Sequence, residues 1–244
     1  AGDVDAGRVD AGARRAFGDW DGRSRPPVPI APPAVPPDRR LRLVDRPGAP
    51  QSELRVGHIG PPRRTPDYHA LLTLNALLGG QFTSRINRNL REVRAITYGA
   101  RSSFEMRRAG GLFSCDTSVQ ADATAEAVSE ILRECHEVAG DDAISADELA
   151  HAKASLTRGY GRQFETAAHL ARAMAQMVTY ALDHDAVDCF VPAVGRLAAA
   201  DLTRAARAAL HPGDASVVVV GDMARIGKSL EGLGRDVVQT QVEF

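Results

Sequence analysis

From residue 51 onward the apolar and polar positions form a clear succession of short elements. Over 51–60, Leu54, Val56 and His58 alternate with Glu53, Arg55 and Gly57, the period of two expected of a strand with one buried face. Thr65-Pro66 reads as a helix start, with Thr as the cap and Pro in the first turn. Leu71, Leu74, Leu77 and Leu78 supply that helix's apolar side, and Gly79-Gly80 ends it. Thr83 or Ser84 caps a second helix, in which Ile86, Leu90 and Val93 fall within about 60° of one another at 100° per residue. Segments 97–104 and 111–119 read as strands joined by a turn through Arg107 and Gly110. A helix follows from about 121 to 138. Ser145-Ala146-Asp147-Glu148 is a capping box that opens a long helix reaching about Phe164. Further helices lie near 167–182, 186–198 and 200–210, and 214–221 reads as the last strand. This order predicts an α+β fold, an antiparallel sheet with helices packed on one face, and not a doubly wound parallel one.

The first fifty residues are organised differently. Pro26, Pro27, Pro29, Pro32, Pro33, Pro36, Pro37, Pro47 and Pro50 deny the backbone its ladder donors and favour an extended, semi-rigid spacer. Ahead of that spacer, Gly2-Asp3 precedes a helical stretch through Phe17 and Trp20. Near the other end, Gly221-Asp222 follows an apolar strand and precedes a helix through Leu230 and Leu233. An Asp in this position caps a helix by accepting its free N–H groups. Read as a repeat, these patterns divide the chain into 1–22, the tail of a preceding homologous domain; 23–50, a Pro-rich linker; and 51–244, a single domain.

Composition narrows the function classes. Among 244 residues, 44% are hydrophobic and 25% charged, with a formal net charge of −1. That is enough apolar material for a real core, and no global field recommends nucleic acid as a partner. No apolar run approaches the roughly 18 residues that span a bilayer. Nothing in the N-terminal residues reads as a signal peptide, so no compartment is assigned. Cys115, Cys135 and Cys189 are odd in number and far apart, which fits small buried hydrophobes better than disulfides or a zinc ribbon.

The seven histidines, His58, His69, His136, His151, His169, His184 and His211, include no H-x-x-E-H pattern. No pair begins the three-ligand convergence that zinc requires. There is no G-x-S-x-G elbow and no phosphate-binding loop. No catalytic residue and no metal ligand is therefore expected in this chain. Residues 77–103 stand out for Arg85, Arg88, Arg91, Arg94 and Arg101. Periodicity alone admits a solvated helix face here, with Arg88 and Arg91 pointing away from the Ile86/Leu90/Val93 face and Arg85 and Arg94 flanking it.

The run Leu77-Leu78-Gly79-Gly80-Gln81-Phe82-Thr83-Ser84-Arg85-Ile86, followed by Asn89-Leu90-Arg91-Glu92-Val93-Arg94-Ala95-Ile96-Thr97-Tyr98, resembles the second-half domain of the insulinase/pitrilysin, or mitochondrial processing peptidase-like, zinc peptidases. The match is detailed over this run and looser from about 50 to 222. It implies a processing-peptidase-like half-domain, the C-terminal zinc-free half of a clamshell. The zinc would lie in an H-x-x-E-H-bearing partner domain or subunit, and the substrate would be a peptide or unfolded chain. By this resemblance Arg91 and Tyr98 bind substrate, Arg91 through a rigid fork of donors and Tyr98 as a donor to a developing oxyanion. On the residues alone, Arg91 also reads as a surface residue and Tyr98 as a half-buried strand aromatic. Ala95 departs from the family's usual Gly, a position where Ala resists a positive φ. A non-catalytic structural or assembly subunit of the same family is the alternative function.

Overall fold

The structure, a computed structural model, describes residues 2–20, 31, 39–141 and 143–240. A single sheet of six strands, among the described residues, carries the helices. Its strands are β1 (Leu41–Asp45), β2 (Gln51–Gly60), β3 (Thr97–Met106), β4 (Gly111–Gln120), β5 (Ser216–Gly221) and β6 (Val237–Thr240), in the spatial order β3-β4-β2-β5-β1-β6. Pairing is antiparallel from β3 through β5. The far edge departs from the expected antiparallel pattern, because β1 runs parallel to both β5 and β6.

Two corrections follow from β1 and β6. Leu41–Asp45, inside the stretch expected as linker, is an inner strand, with Leu41 and Leu43 almost fully buried. Most of the prolines that motivated the linker, and the 21–22 end of the expected domain tail, lie at positions 21–30 and 32–38, outside the described residues. The strand after residue 214 is not the last, since Val237–Thr240 pairs with β1 beyond it.

The period-two reading of β2 explains the layering. Leu54 and Val56 are buried while Gln51, Glu53 and Arg55 are exposed. Register places Leu54 beside Thr117 and Val219, and Val56 beside Cys115 and Val217. These side chains form one apolar face covered by helices. The opposite face carries Glu53, Arg55, Arg101 and Asp116, with Arg55 ion-paired to Asp116. The covering layer includes α2 (Tyr68–Asn75), α4 (Thr124–Glu137), α8 (Ala199–Ala209) and α9 (Met223–Glu231). Their Leu71, Leu74, Ile131, Leu202, Ile226 and Leu230 are fully buried. Burying a large aliphatic side chain stabilises the fold by about 1.5–3 kcal/mol each.

Several helix boundaries follow local chemistry. The capping box at Ser145 is present, with Glu148 N donating to Ser145 Oγ at 3.3 Å and Ser145 N to Glu148 Oε2 at 3.0 Å. Its helix, α5 (Ala146–Thr157), ends earlier than expected, and a separate 3-10 turn, Tyr160–Phe164, follows Gly159. α2 begins at Tyr68, two residues past the expected Pro66 start. The two Gly-Asp segments do introduce helices. Asp222 caps α9, but α1 (Ala6–Phe17) is capped by Asp5 and not by Asp3. α6 (Ala167–Tyr180), α7 (Phe190–Arg196) and the short α3 (Arg85–Asn87) of the candidate site are the other α-helices among the described residues.

Candidate functional site around Arg91 and Tyr98

Regular structure breaks down between Ala76 and Ala100, a stretch that holds Arg85, Arg88, Arg91 and Arg94 of the arginine-rich run. α2 runs into a π-helical turn, Ala76–Gly80, that presses against β3. A Cβ added to Gly79 would sit 2.4 Å from Ser102 Oγ and 2.9 Å from its backbone nitrogen. Gly79 is therefore needed for close approach, and not only to end the helix.

α3 starts at Ser84, whose backbone is extended as a cap requires, and continues as a π-helix over Arg88–Val93. Arg94 N donates to Asn89 O at 3.0 Å, an i→i+5 bond. The extra residue per turn explains a further correction. Ile86 and Leu90 are fully buried as expected, but Val93 is rotated off their face and is 76% exposed. The helix closes at Ala95, which adopts φ +55°, and Ile96 N then reaches Leu90 O at 3.0 Å. This is the left-handed closure usually given to glycine.

The arginines divide between structural and free roles. Arg85 donates through Nε to Glu148 Oε1 at 2.7 Å and through a terminal nitrogen to Ala143 O. Its hydrogen bonds hold the Glu148 carboxyl down at about 2, against the opposing effect of partial burial. Arg94 pairs with Glu126 and, at 2.8 Å, with Glu130. Asn89 donates to Glu130 and Glu134 at 2.7 and 2.8 Å. Arg133 completes this network on α4 through Glu130, Glu134 and Glu137. Arg88 is exposed. Arg91 lies with its guanidinium carbon 3.9 Å from the centroid of the exposed Phe82 ring. The ring holds the guanidinium plane, and no protein carboxylate among the described residues pairs with it.

Tyr98 stands on β3, an edge strand, and is 91% exposed. The half-buried alternative does not hold. Register passes from Thr97↔Val119 to Ala100↔Thr117, so Tyr98 and Gly99 bulge out against one residue of β4. Thr97 Oγ1 accepts from Gly99 N at 3.1 Å and donates to Ser118 O at 2.6 Å. Thr117 Oγ1 donates to Gly99 O at 2.9 Å. Asn87, buried on α3, accepts from Ala100 N at 2.9 Å and donates to Ala100 O at 2.6 Å. It also donates to Gln81 O at 3.0 Å. The side-chain amide thus substitutes for a neighbouring strand at the sheet edge. Asn87 was not singled out from the sequence. The available signal was an Asn, a poor helix-interior residue, beside the buried Ile86.

The remaining reactive groups are placed elsewhere. Among the described residues, no group of three or more His, Cys, Asp or Glu side chains could hold a metal ion. Burial raises the Cys115 thiol and pushes Cys135 up to about 12. Cys189, expected to be buried with them, is exposed and donates to Asp185 at 3.1 Å. His151 is joined to Thr83 at 3.0 Å.

An α+β half-domain with a helix-covered sheet and an irregular, arginine-bearing edge is the class this geometry defines. Residues 1–156 match the family described as the peptidase M16 inactive domain, and the chain belongs to that family. It is similar to the peptidase M16 inactive domain from Pseudomonas fluorescens at 25% identity, covering 91% of this chain and 52% of that one, with a TM-score of 0.77. It shares the fold of a protease from Helicobacter pylori at 18% identity, 90% and 53% coverage and a TM-score of 0.74. It also shares the fold of a chain in complex III2 from Candida albicans, at 12% identity, 81% and 49% coverage and a TM-score of 0.62. The chain spans about half the length of each. No curated protein matches it. No helix among the described residues is long and apolar enough to cross a membrane.

Proposed function

We propose that this chain is the substrate-binding half of a zinc-dependent endopeptidase that degrades or processes peptides and unfolded chains. The catalytic zinc is supplied by an H-x-x-E-H-bearing partner domain or subunit. Arg91 and Tyr98 hold the substrate, the guanidinium by donating to peptide carbonyls and the phenol by donating to the oxygen that gains charge. The observation that carries this reading is the exposed Tyr98 on a bulge pinned from both sides. A fixed donor loses little reorganisation when charge develops on its acceptor.

The alternative is a non-catalytic structural or assembly subunit. Exposed apolar residues on α1 (Val9, Phe17) and α6 (Met174, Val178) favour it, as does the fold shared with a complex III2 chain. The test is peptidase activity on a quenched unfolded peptide, for this chain alone and mixed with an H-x-x-E-H-bearing half, with zinc content measured alongside. The proposal expects zinc-dependent activity only in the mixture, lowered about 100-fold by Tyr98→Phe or Arg91→Ala. Activity untouched by both substitutions removes the site assignment. No activity with any partner half leaves the assembly reading.

A further inference from the structure

Away from Arg91 and Tyr98, a cavity of about 410 Å³ opens between the starts of α2 and α7, the end of α5, the Tyr160–Phe164 turn and α6. Two properties set it apart from an ordinary packing gap. Its apolar wall is aromatic. Tyr160 stacks on Phe190 with centroids 4.3 Å apart and planes 9° from parallel, and Phe164 meets Tyr160 edge-on at 5.1 Å. Its charge is one-sided. Arg63, Arg172 and His169 line it, and among the described residues no carboxylate does.

Elsewhere in this chain arginines are usually paired with acids, as at Arg55, Arg85, Arg94, Arg133, Arg204 and Arg225. Among the described residues, neither Arg63 nor Arg172 has a carboxylate partner. Arg63 instead lies over the Tyr68 ring, its guanidinium carbon 3.4 Å from the centroid. Stacking occupies the face of a guanidinium and leaves its N–H edge available. Asp188 acts on Tyr160 from outside the lining. The outer wall is α6, which has no buried residue and rests chiefly on the 160–164 turn, so the cavity stays accessible.

We propose that this cavity binds the C-terminal end of a peptide whose last residue is large and apolar. The side chain enters between the aromatic rings, and the free α-carboxylate meets the unpaired guanidinium edges of Arg63 and Arg172. Gln163 and Gln176, also in the lining, supply an acceptor and donors for the final peptide unit. The cavity's charge selects a carboxylate, and its amides select a peptide end over a plain apolar acid. The site stands on the cavity alone and does not depend on the role given to Arg91 and Tyr98.

The experiment uses the full chain and N-terminally fluorescein-labelled hexapeptides ending in Phe, one with a free carboxylate and one amidated, followed by fluorescence polarisation. The free acid is expected to bind at least about tenfold tighter than the amide, as a charge-assisted contact requires. Arg172→Glu, an exposed substitution on α6 with folding checked by circular dichroism, is expected to lose that preference. Tyr98→Phe is expected to retain it. Equal binding of acid and amide, no saturable binding, or a preference unchanged in Arg172→Glu overturns the proposal. Decanoate that displaces the labelled acid as well as the unlabelled hexapeptide does also overturns the peptide assignment.

Discussion

Replacing Asn87 by Ala is the sharpest test of how the sheet edge is held. Asn87 is buried, and its amide meets both backbone groups of Ala100, itself only 5% exposed. Ala at 87 leaves that N–H and that C=O without partners, and removes one of the two donors to Gln81 O, which keeps Ser84 N. A buried polar group that loses its partner costs about 1–3 kcal/mol. Two such groups give about 2–6 kcal/mol, reduced if water enters the space left by the amide. A loss near 3 kcal/mol is expected from urea unfolding, with a Tm lowered by about 6–12 °C for a chain of this size. Hydrogen exchange at the Ala100 amide should accelerate beyond what global destabilisation explains. Asn87→Asp keeps the acceptor for Ala100 N and loses the donors, so it should protect that amide better than Ala does. A stability loss below about 1 kcal/mol, with Ala100 exchange unchanged, would refute the edge-pinning argument.

Three other outcomes follow. Ala95→Gly should raise stability by about 0.5–1 kcal/mol, because the left-handed conformation at φ +55° costs Ala about 1–2 kcal/mol and Gly offsets part of that through chain entropy; an unfolding free energy no higher than wild type sinks this. Burial lowers the pKa of His58, whose Nε2 accepts from His211 N at 3.2 Å and whose Nδ1 faces Ile59 O at 2.9 Å. Its neutral form is favoured in the fold, so its contribution is complete above about pH 6.5 and is lost as pH falls toward the folded value. The urea midpoint of His58→Gln should therefore fall less than wild type's on acidification below about pH 6.5, and parallel curves would discard the assignment. Of the three thiols, only Cys189 should react with maleimide in the native state, since Cys115 and Cys135 are buried and raised. Mass spectrometry showing native labelling of either buried thiol counts against the core packing.

What the sequence made legible was what neighbouring residues decide among themselves. The alternation in 51–60 gives β2 to the residue, and the capping box at Ser145 gives the start of α5, because strand pleat and cap each need only a few positions. β1 was hidden for the opposite reason. Leu41, Leu43 and Val44 are few, prolines stand on both sides, and only pairing with β5 and β6 makes them a strand. Val93 was misplaced because a rotation of 100° per residue presumes α geometry, and a π-helix winds less per residue. Arg91 and Tyr98 were singled out through their motif, as residues for the proposed substrate site. Their exposure was not, because it depends on Phe82 under the guanidinium and on Thr97, Thr117 and Asn87 around the bulge. Apart from Thr97, these side chains are not sequence neighbours of the residues they hold, and periodicity carries no trace of them.

Three irregular backbone features fall close together near the candidate site. Within residues 88–100 there is a π-helix, a non-glycine residue in the left-handed region and a β-bulge. Each is less stable than the regular alternative, and such features persist where the surroundings over-determine them. The surroundings here are specific. Asn89 and Arg94 bind the π-helix and its C-terminal end to the acids of α4, and Asn87 closes the strand edge. A purely scaffolding role is served as well by a regular helix and an unbulged strand, with Gly at 95. The π-helix places Arg91 on Phe82 and turns Val93 outward. The bulge leaves Tyr98 almost wholly in water with clamped peptide units on either side. A fold that holds one aromatic donor rigid and uncovered, while supporting the adjacent irregularities with buried amides and ion pairs, favours a site that meets another chain over one that serves only packing.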